Sequence, residues 1–432
     1  MSQSSLMERT RAGVLTLFDL PRSRWMLLIL CLSFAVRLLW AGVSPAQPAS
    51  DAKYYTDAGL AIANGEGFLN RGKPTAYWPV GYPAFLGGIY ALFGYSVELV
   101  KVVHAALGAA TVLMVFLVAG PIFGEATARL GSLLLALSLN NISYSAVLFS
   151  EVPFTFLFYL SLFHMMLLRQ GRRAPWVYLG AGIPLALACY IRPLPLLLPI
   201  LAFAFDVWRS RRLWPPLKDF VVVAVIMTLV ILPWTIRNWH LFGRVVLIST
   251  NGGINFVMGF NPEADGRYQE VRSPRLEQPD LDDARIEQIA YEEGKQFIRE
   301  HPGQAAMLMM KKVFWLLYAD WDGLYENFRR TTVPITNGAR YSLYLICEVY
   351  YLAAIGFGLF ALVRRRPITD AMGFLLLIVL YWIAIHMFYV GSPRYHFPMT
   401  PIFFMFAAWG LVGWRGMAEK TTPGVCTAPA TR

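Results

Sequence analysis

The sequence predicts an all-α polytopic membrane protein, with about ten transmembrane helices and interfacial helices in two outer loops. Three observations carry this. Of 432 residues, 56% are hydrophobic and only 15% charged, whereas soluble globular chains carry about 25% charged residues. Apolar runs long enough to cross a bilayer recur from Trp25 onward. The net charge of +11 gathers in short gaps between those runs, as orientation in a membrane requires, so no nucleic-acid partner is expected. Cys31, Cys189 and Cys347 fall in apolar runs and Cys426 in the tail, a packing pattern rather than a disulfide framework.

Charge places each element. Arg9, Arg11, Arg22 and Arg24 mark residues 1–24 as a cytoplasmic N-terminus. Trp25–Val43 crosses outward. Its apolar core exceeds the roughly 7–15 residues of a removable signal peptide, and Arg37 lies inside it, so it stays as a first span. Arg37 is expected to pair with a loop carboxylate or to snorkel, in a structural role. The first outer loop, 44–96, carries a short helix over Ser50–Asn64 that ends at Asn64-Gly65-Glu66-Gly67. Pro79–Phe93 is apolar but short and interrupted by Pro and Gly. Were it to span, Arg169, Arg172 and Arg173 would land outside, against the positive-inside rule.

The remaining spans alternate: Val97–Ala119, Thr127–Ala146, Val152–Leu168, Trp176–Tyr190, Leu194–Trp208 and Leu217–Trp234 complete an N-terminal transmembrane module over 25–235. The second outer segment, 236–340, holds an amphipathic helix over Asp282–Arg299, with Ile286, Ile289, Ala290 and Phe297 on one face. A further helix starts at Pro302, in which Met307, Met310, Phe314 and Leu317 alternate with Lys311 and Lys312. It is expected to lie in the interface, because a span over 304–320 would reverse every later loop. Tyr341–Val363, Met372–Val390 and Phe397–Trp414 form the C-terminal transmembrane part, 341–415, before a Pro/Thr-rich cytoplasmic tail, 416–432.

On this topology Asp51, Lys53, Lys73, Glu151, Arg192, Arg237 and Arg394 collect at one membrane face. Carboxylates with several cations beside a bilayer suit a lipid-borne anion and a proton-accepting step. Displacement at a sugar's anomeric carbon needs a base for the acceptor hydroxyl and cations for the departing phosphate. Each residue also has a plain structural role open to it. Asp51 could cap a helix and Glu151 could favour the dipole of the next span. Lys53, Arg71 and Lys73 could snorkel, Arg394 could anchor a helix end, and Tyr54, Tyr55, Tyr77 and Trp78 could form an aromatic belt. The six histidines show no metal spacing.

Several motifs, in order, resemble GT-C glycosyltransferases of the protein-mannosyltransferase and lipid A aminoarabinose-transferase kind. They are SDAKYY at 50–55, GKPTAYWPVGYP at 72–83, SEVPF at 150–154, YIRPLPLLLP at 190–199, FGRVVLISTNGGINFVMGFNP at 242–262 and PRYHFPMTP at 393–401. The resemblance implies the GT-C fold and inverting transfer from a polyprenyl-monophosphate sugar at a periplasmic or extracellular face of a bacterial plasma membrane. It implies catalytic roles for Asp51, as general base, and for Glu151. Lys73 matches a phosphate-binding lysine. The other substrate- and phosphate-binding candidates are Lys53, Tyr54, Tyr55, Arg192, Arg237, Arg394 and Tyr395. No cofactor is required, although a divalent metal ion shared by Asp51 and Glu151 stays open. The C-terminal part is shorter than that of lipid A transferases, and lipid, glycan and protein acceptors all stay open. Two other classes compete: a flippase or transporter for lipid-linked saccharide, which would often show repeats and midplane sites, and a polymerase or ligase using a diphosphate-linked donor.

Overall fold

The computed structural model describes residues 20–414 except 45, 71, 279, 330–334 and 365–366. Arg9, Arg11, Arg71, Arg365, Arg366 and the 416–432 tail therefore lie outside the described residues. The chain is almost wholly helical. Helix α1 (Arg22–Val43) leads into the first outer segment, which holds α2 (Asp51–Ala63), the antiparallel pair β1 (Leu69–Asn70) and β2 (Lys73–Pro74), and α3 (Gly81–Phe93). There follow α4 (Val97–Phe123), α5 (Glu125–Leu137), α6 (Leu139–Ser143), α7 (Glu151–Arg169), α8 (Pro175–Ile191), α9 (Leu198–Ser210) and α10 (Pro216–Phe242). The second outer segment holds α11 (Asn251–Gly259), α12 (Asp283–Glu300), α13 (Pro302–Leu317) and α14 (Asp322–Arg329). Then come α15 (Asn337–Arg364), α16 (Asp370–His386), a 3-10 segment at Pro393–Met399 and α17 (Thr400–Trp414).

Among the described residues six units are long and apolar enough to cross a membrane: α1, α4, α7, α10, α15 and the stretch Pro393–Gly413. Helices α8 and α16 are apolar with 17 residues each, near the lower limit for a span. Helix α3, with 13 residues, reaches only about 20 Å, short of the roughly 30 Å hydrocarbon core. The protein is an integral membrane protein, and the recurrent apolar runs coincide with its helices.

Two expected spans are broken instead. Thr127–Ala146 divides at Ser138 into α5, α6 and a 3-10 turn at Tyr144–Ala146. The polar residues at the break explain it. Ser138 Oγ accepts from Asn141, Asn140 Nδ2 donates to Asp320 at 2.5 Å, and Asn141 reaches Thr400. The buried Arg37 donates to Ser33 Oγ at 2.6 Å and to the Ala136 carbonyl at 3.4 Å. It neither snorkels nor meets a carboxylate; it helps satisfy a helix end that would otherwise carry unpaired carbonyls. Leu194–Trp208 likewise starts with a 3-10 turn at Leu194–Leu197 before α9, because Pro193, Pro195 and Pro199 remove amide donors.

Helices α4, α7 and α8 pack side by side, and α17 packs on α5 and α15, around one continuous apolar core. The second outer segment forms its own small core from Phe256, Phe260, Phe297, Ala305 and Leu308. Helix α12 begins where expected: Asp282 accepts from the Arg285 amide at 2.7 Å as an N-cap. Helix α13 leaves Met307, Met310 and Phe314 exposed, the apolar stripe of a helix suited to a membrane surface.

The first outer segment is fixed to the bundle by a close approach. A Cβ on Gly81 would stand 2.5 Å from the carbonyl carbon of Tyr190, at the end of α8. Gly81→Ala is therefore expected to lower stability by about 1–3 kcal/mol through overpacking against backbone that cannot yield. The midpoint of thermal unfolding in nanodiscs checks this, and an unchanged midpoint would contradict it.

Candidate functional site

Four stretches far apart in the chain converge at one end of the bundle. Ser50, with φ 53° and ψ −126°, turns the chain into α2, so that Asp51 opens the helix. Glu151 begins α7, where the helix dipole favours a negative charge. Arg192 follows the last turn of α8. Arg394 lies on the Pro393–Met399 turn before α17.

Arg394 is the bridge. Its Nη1 donates to Asp51 Oδ2 at 2.6 Å, and its Nε donates to Glu151. Arg192 Nη2 donates to the same Glu151 Oε1 at 2.5 Å and to Ser150 Oγ at 3.2 Å. Each guanidinium also faces an aromatic ring: Arg394 over Phe149 at 3.9 Å and Arg192 over Tyr395 at 5.7 Å. The Glu151 side chain is 0% exposed, whereas Asp51 retains 30% exposure. Glu151 is therefore sealed among the groups that surround it, its carboxylate shared by the two arginines. Asp51 is the carboxylate of this group that solution reaches.

The expected site residues divide between this group and other places. Asp51, Glu151, Arg192, Arg394 and Tyr395 come together. Tyr55 lies just beneath, buried, edge-on to Tyr82 at 5.1 Å and to Trp78 at 5.8 Å. Burial pushes its phenol up to about 12. Tyr54 packs at a tilt against Trp78, with ring centres 5.3 Å apart. Lys53 points away, exposed, and pairs with Asp57 at 2.8 Å. Lys73 is exposed on β2 and pairs with Asn70 across the hairpin, away from the central group. Arg237 sits in the seam between the two outer segments, donating to the Thr75 carbonyl at 2.7 Å. In the same seam Thr75 Oγ1 donates to Asp283 at 2.5 Å, and the Thr250 amide to the Ala76 carbonyl at 2.8 Å.

A second polar cluster lies beside the first and was not anticipated. Asp320, 2% exposed, accepts from Asn140 and from His396 Nε2 at 3.1 Å, while His396 Nδ1 meets the Leu316 carbonyl at 2.6 Å. Asp322 lies two residues on, facing Tyr144. The adjacent pair Asn140-Asn141 inside a nominal span was the available signal, since polar side chains there are costly unless partnered. Among the described residues no group of three or more His, Cys, Asp or Glu side chains is arranged to hold a metal ion. The place between Asp51 and Glu151 is taken by the Arg394 guanidinium.

The opposite end of the bundle is different. Arg169–Asp206, Arg173–Asp219 and Arg209–Asp370 are paired there around a cavity of about 430 Å³. Helix α7 separates this end from Glu151 by roughly 27 Å. Both ends thus pair arginine with carboxylate, but only the Asp51 end gathers two guanidiniums on one buried carboxylate.

Residues 78–236 match the family described as dolichyl-phosphate-mannose-protein mannosyltransferase. ArnT from Cupriavidus metallidurans, solved bound to undecaprenyl phosphate, superposes with TM-score 0.57 at 14% identity over 90% of this chain and 60% of that one. The archaeal oligosaccharyltransferase AglB from Archaeoglobus fulgidus, solved with an inhibitory peptide and a dolichol-phosphate, gives 0.51 at 13% identity, over 94% and 53%. An apo oligosaccharyltransferase from the same organism gives 0.53 at 15% identity, over 91% and 51%. The chain thus spans about half to three fifths of their length. No curated protein matches it significantly.

Glu151→Gln tests the central group. Removing the buried charge leaves Arg192 and Arg394 half-compensated, at an expected cost of about 3–5 kcal/mol. Adding Arg394→Gln to it should cost less than the sum of the two single changes, because they share one interaction. Denaturant unfolding of the three variants checks this; simple additivity would show that Glu151 and Arg394 act independently.

Proposed function

We propose that this chain, whose fold is that of the GT-C superfamily of membrane glycosyltransferases, moves a sugar from a polyprenyl-monophosphate donor to an acceptor hydroxyl. The observation that carries this is the Asp51–Arg394–Glu151–Arg192 group: two guanidiniums positioned by one sealed carboxylate and facing one open carboxylate. That two neighbours of the same fold were solved with lipid monophosphates supports the donor class. The acceptor is not carried over, since this chain covers only part of those neighbours.

The chemistry follows from the contacts. A donor phosphate competes with Asp51 for Arg394, because a guanidinium binds phosphate through two parallel hydrogen bonds. Arg394 and Arg192 then hold the phosphate and stabilise the charge that grows on the leaving oxygen. Asp51, released from Arg394, accepts the proton of the acceptor hydroxyl. The acceptor oxygen forms a bond to the anomeric carbon from the face opposite the phosphate. The bond from that carbon to the phosphate oxygen breaks, and its electron pair leaves on the polyprenyl phosphate. The product is inverted at the anomeric carbon. Glu151 positions both arginines throughout.

The site faces the outside of a bacterial plasma membrane in this proposal, with both termini cytoplasmic. Its support is the charge at the far end of the bundle, where Arg169, Arg172, Arg173, Arg209, Arg211, Arg212 and Arg364 gather at helix ends and turns. The sugar is a hexose or pentose, and the acceptor a lipid, glycan or protein.

Purified protein in nanodiscs, given a panel of polyprenyl-monophosphate sugars and an acceptor extract, is expected to release polyprenyl phosphate. Asp51→Asn should reduce release by about 10²–10⁴-fold, the usual scale of a general base, with the protein still folded. Full activity in that variant removes Asp51 from the role. Release only from diphosphate-linked donors would identify a polymerase or ligase. Movement of lipid-linked sugar across the bilayer without a covalent product would identify a flippase.

A further inference from the structure

Helix α14 is docked with unusual closeness for a short surface helix. The Gly323 amide donates to Asn140 Oδ1 at 2.8 Å, and a Cβ at this position would stand 2.7 Å from Tyr144 Cδ2. One turn on, Asn327 Nδ2 donates to the Ser143 carbonyl at 2.9 Å, while its Oδ1 accepts from Ser44 and, at 3.3 Å, from Trp40 Nε1. The helix is thus tied to α1 and α6, and residue 322 is fixed by its neighbour. What this docking presents is the Asp322 carboxylate. Tyr144 Oη donates to it at 3.3 Å. Tyr144 packs on Phe397 at 4.3 Å between ring centres, three residues beyond Arg394.

Asp322 differs from every other carboxylate of the site. Asp51 and Glu151 are paired with arginine, and Asp320 with His396. Among the described residues Asp322 has no ion-pair partner, and it is largely withdrawn from water while keeping some exposure. An unpaired carboxylate held out of water is costly, and such groups concentrate where chemistry needs them. It is the wrong group to meet a phosphate, since two anions repel. It is the right group to accept hydrogen bonds from neutral hydroxyls.

We propose that Asp322 is an acceptor-binding residue: its carboxylate accepts a hydrogen bond from a hydroxyl of the incoming acceptor and so orients the attacking oxygen toward Asp51. The role rests on the transferase function proposed above and assigns the acceptor side of the same site. It also narrows the acceptor to a polyhydroxylic molecule, one hydroxyl held by Asp322 and another attacking. The charged and titratable groups around Asp322 are Arg394, Glu151, Tyr144, Tyr318, Tyr344 from α15, and Glu326 on its own helix. Burial raises its carboxyl to about 6. Acceptor use should therefore fall as pH drops through that value and Asp322 gains its proton.

The test uses full-length protein in nanodiscs, the donor consumed in the panel above, and soluble methyl hexopyranosides and pentopyranosides as acceptors. Undecaprenyl phosphate binding is measured in parallel. Asp322→Asn keeps an oxygen for Tyr144 but loses the charge. It should lower kcat/KM for the glycoside about tenfold or more, the scale of one charge-assisted hydrogen bond. The KM for donor and the affinity for undecaprenyl phosphate should stay within about twofold, less than such a bond contributes. The fall in acceptor kcat/KM below about pH 6 should vanish in Asp322→Asn, while Asp322→Glu should restore part of the rate. Unchanged acceptor kinetics in Asp322→Asn, or a rise in donor KM instead, overturns the role while leaving the transferase intact. A wild-type protein that neither binds undecaprenyl phosphate nor consumes any donor overturns the transferase and this role together.

Discussion

The structure depends on the burial of one negative charge. Glu151 has no exposed surface, and a carboxylate removed from water is tolerated only with strong partners. Its partners are Arg192 and Arg394, which come from the end of α8 and from the turn before α17. The ion pair therefore ties three distant parts of the chain at one depth. Asp51 is drawn in through Arg394, which joins the first outer segment to the last membrane helix. In the proposed reaction the donor phosphate would meet cations already held in place, which is the preorganisation that charge stabilisation requires.

The central group was legible in the sequence because sidedness is a parity. Deciding that Pro79–Phe93 does not cross put Asp51, Glu151, Arg192 and Arg394 on one face, and the structure brings these four into contact. Sidedness alone has no resolution within the face. Lys53, Lys73 and Arg237 share the polar stretches but not the group, because α2 turns Lys53 outward, the hairpin carries Lys73 to the surface, and Arg237 is used in the seam between outer segments. Whether a residue points in or out on an exposed helix depends on tertiary neighbours that local sequence does not record.

The broken membrane helices show the same limit from the other direction. Apolarity correctly marked Thr127–Ala146 as a run inside the bundle. It could not show that Asn140 would find a partner before α14 and Asn141 one on α17, or that Arg37 would reach the Ala136 carbonyl. Each of these bonds satisfies a polar group that would be costly if left alone in an apolar setting, and together they favour a break over a continuous helix. The residues that escaped notice, Asp320 and Asp322, are the partners on the far side of that break.

The contact at Gly81 has a mechanical consequence. With backbone against backbone, the wall bearing Asp51 and the turn bearing Arg192 form a fixed jamb. The second outer segment meets that wall through a buried seam, in which hydrogen bonds of Thr75, Ala76, Thr250 and Arg237 flank an apolar contact of Ala76 with Val246 and Ala284. The two outer segments are therefore anchored differently: the first stands backbone against backbone on the end of α8, and the second is held to the first by hydrogen bonds and one small apolar contact.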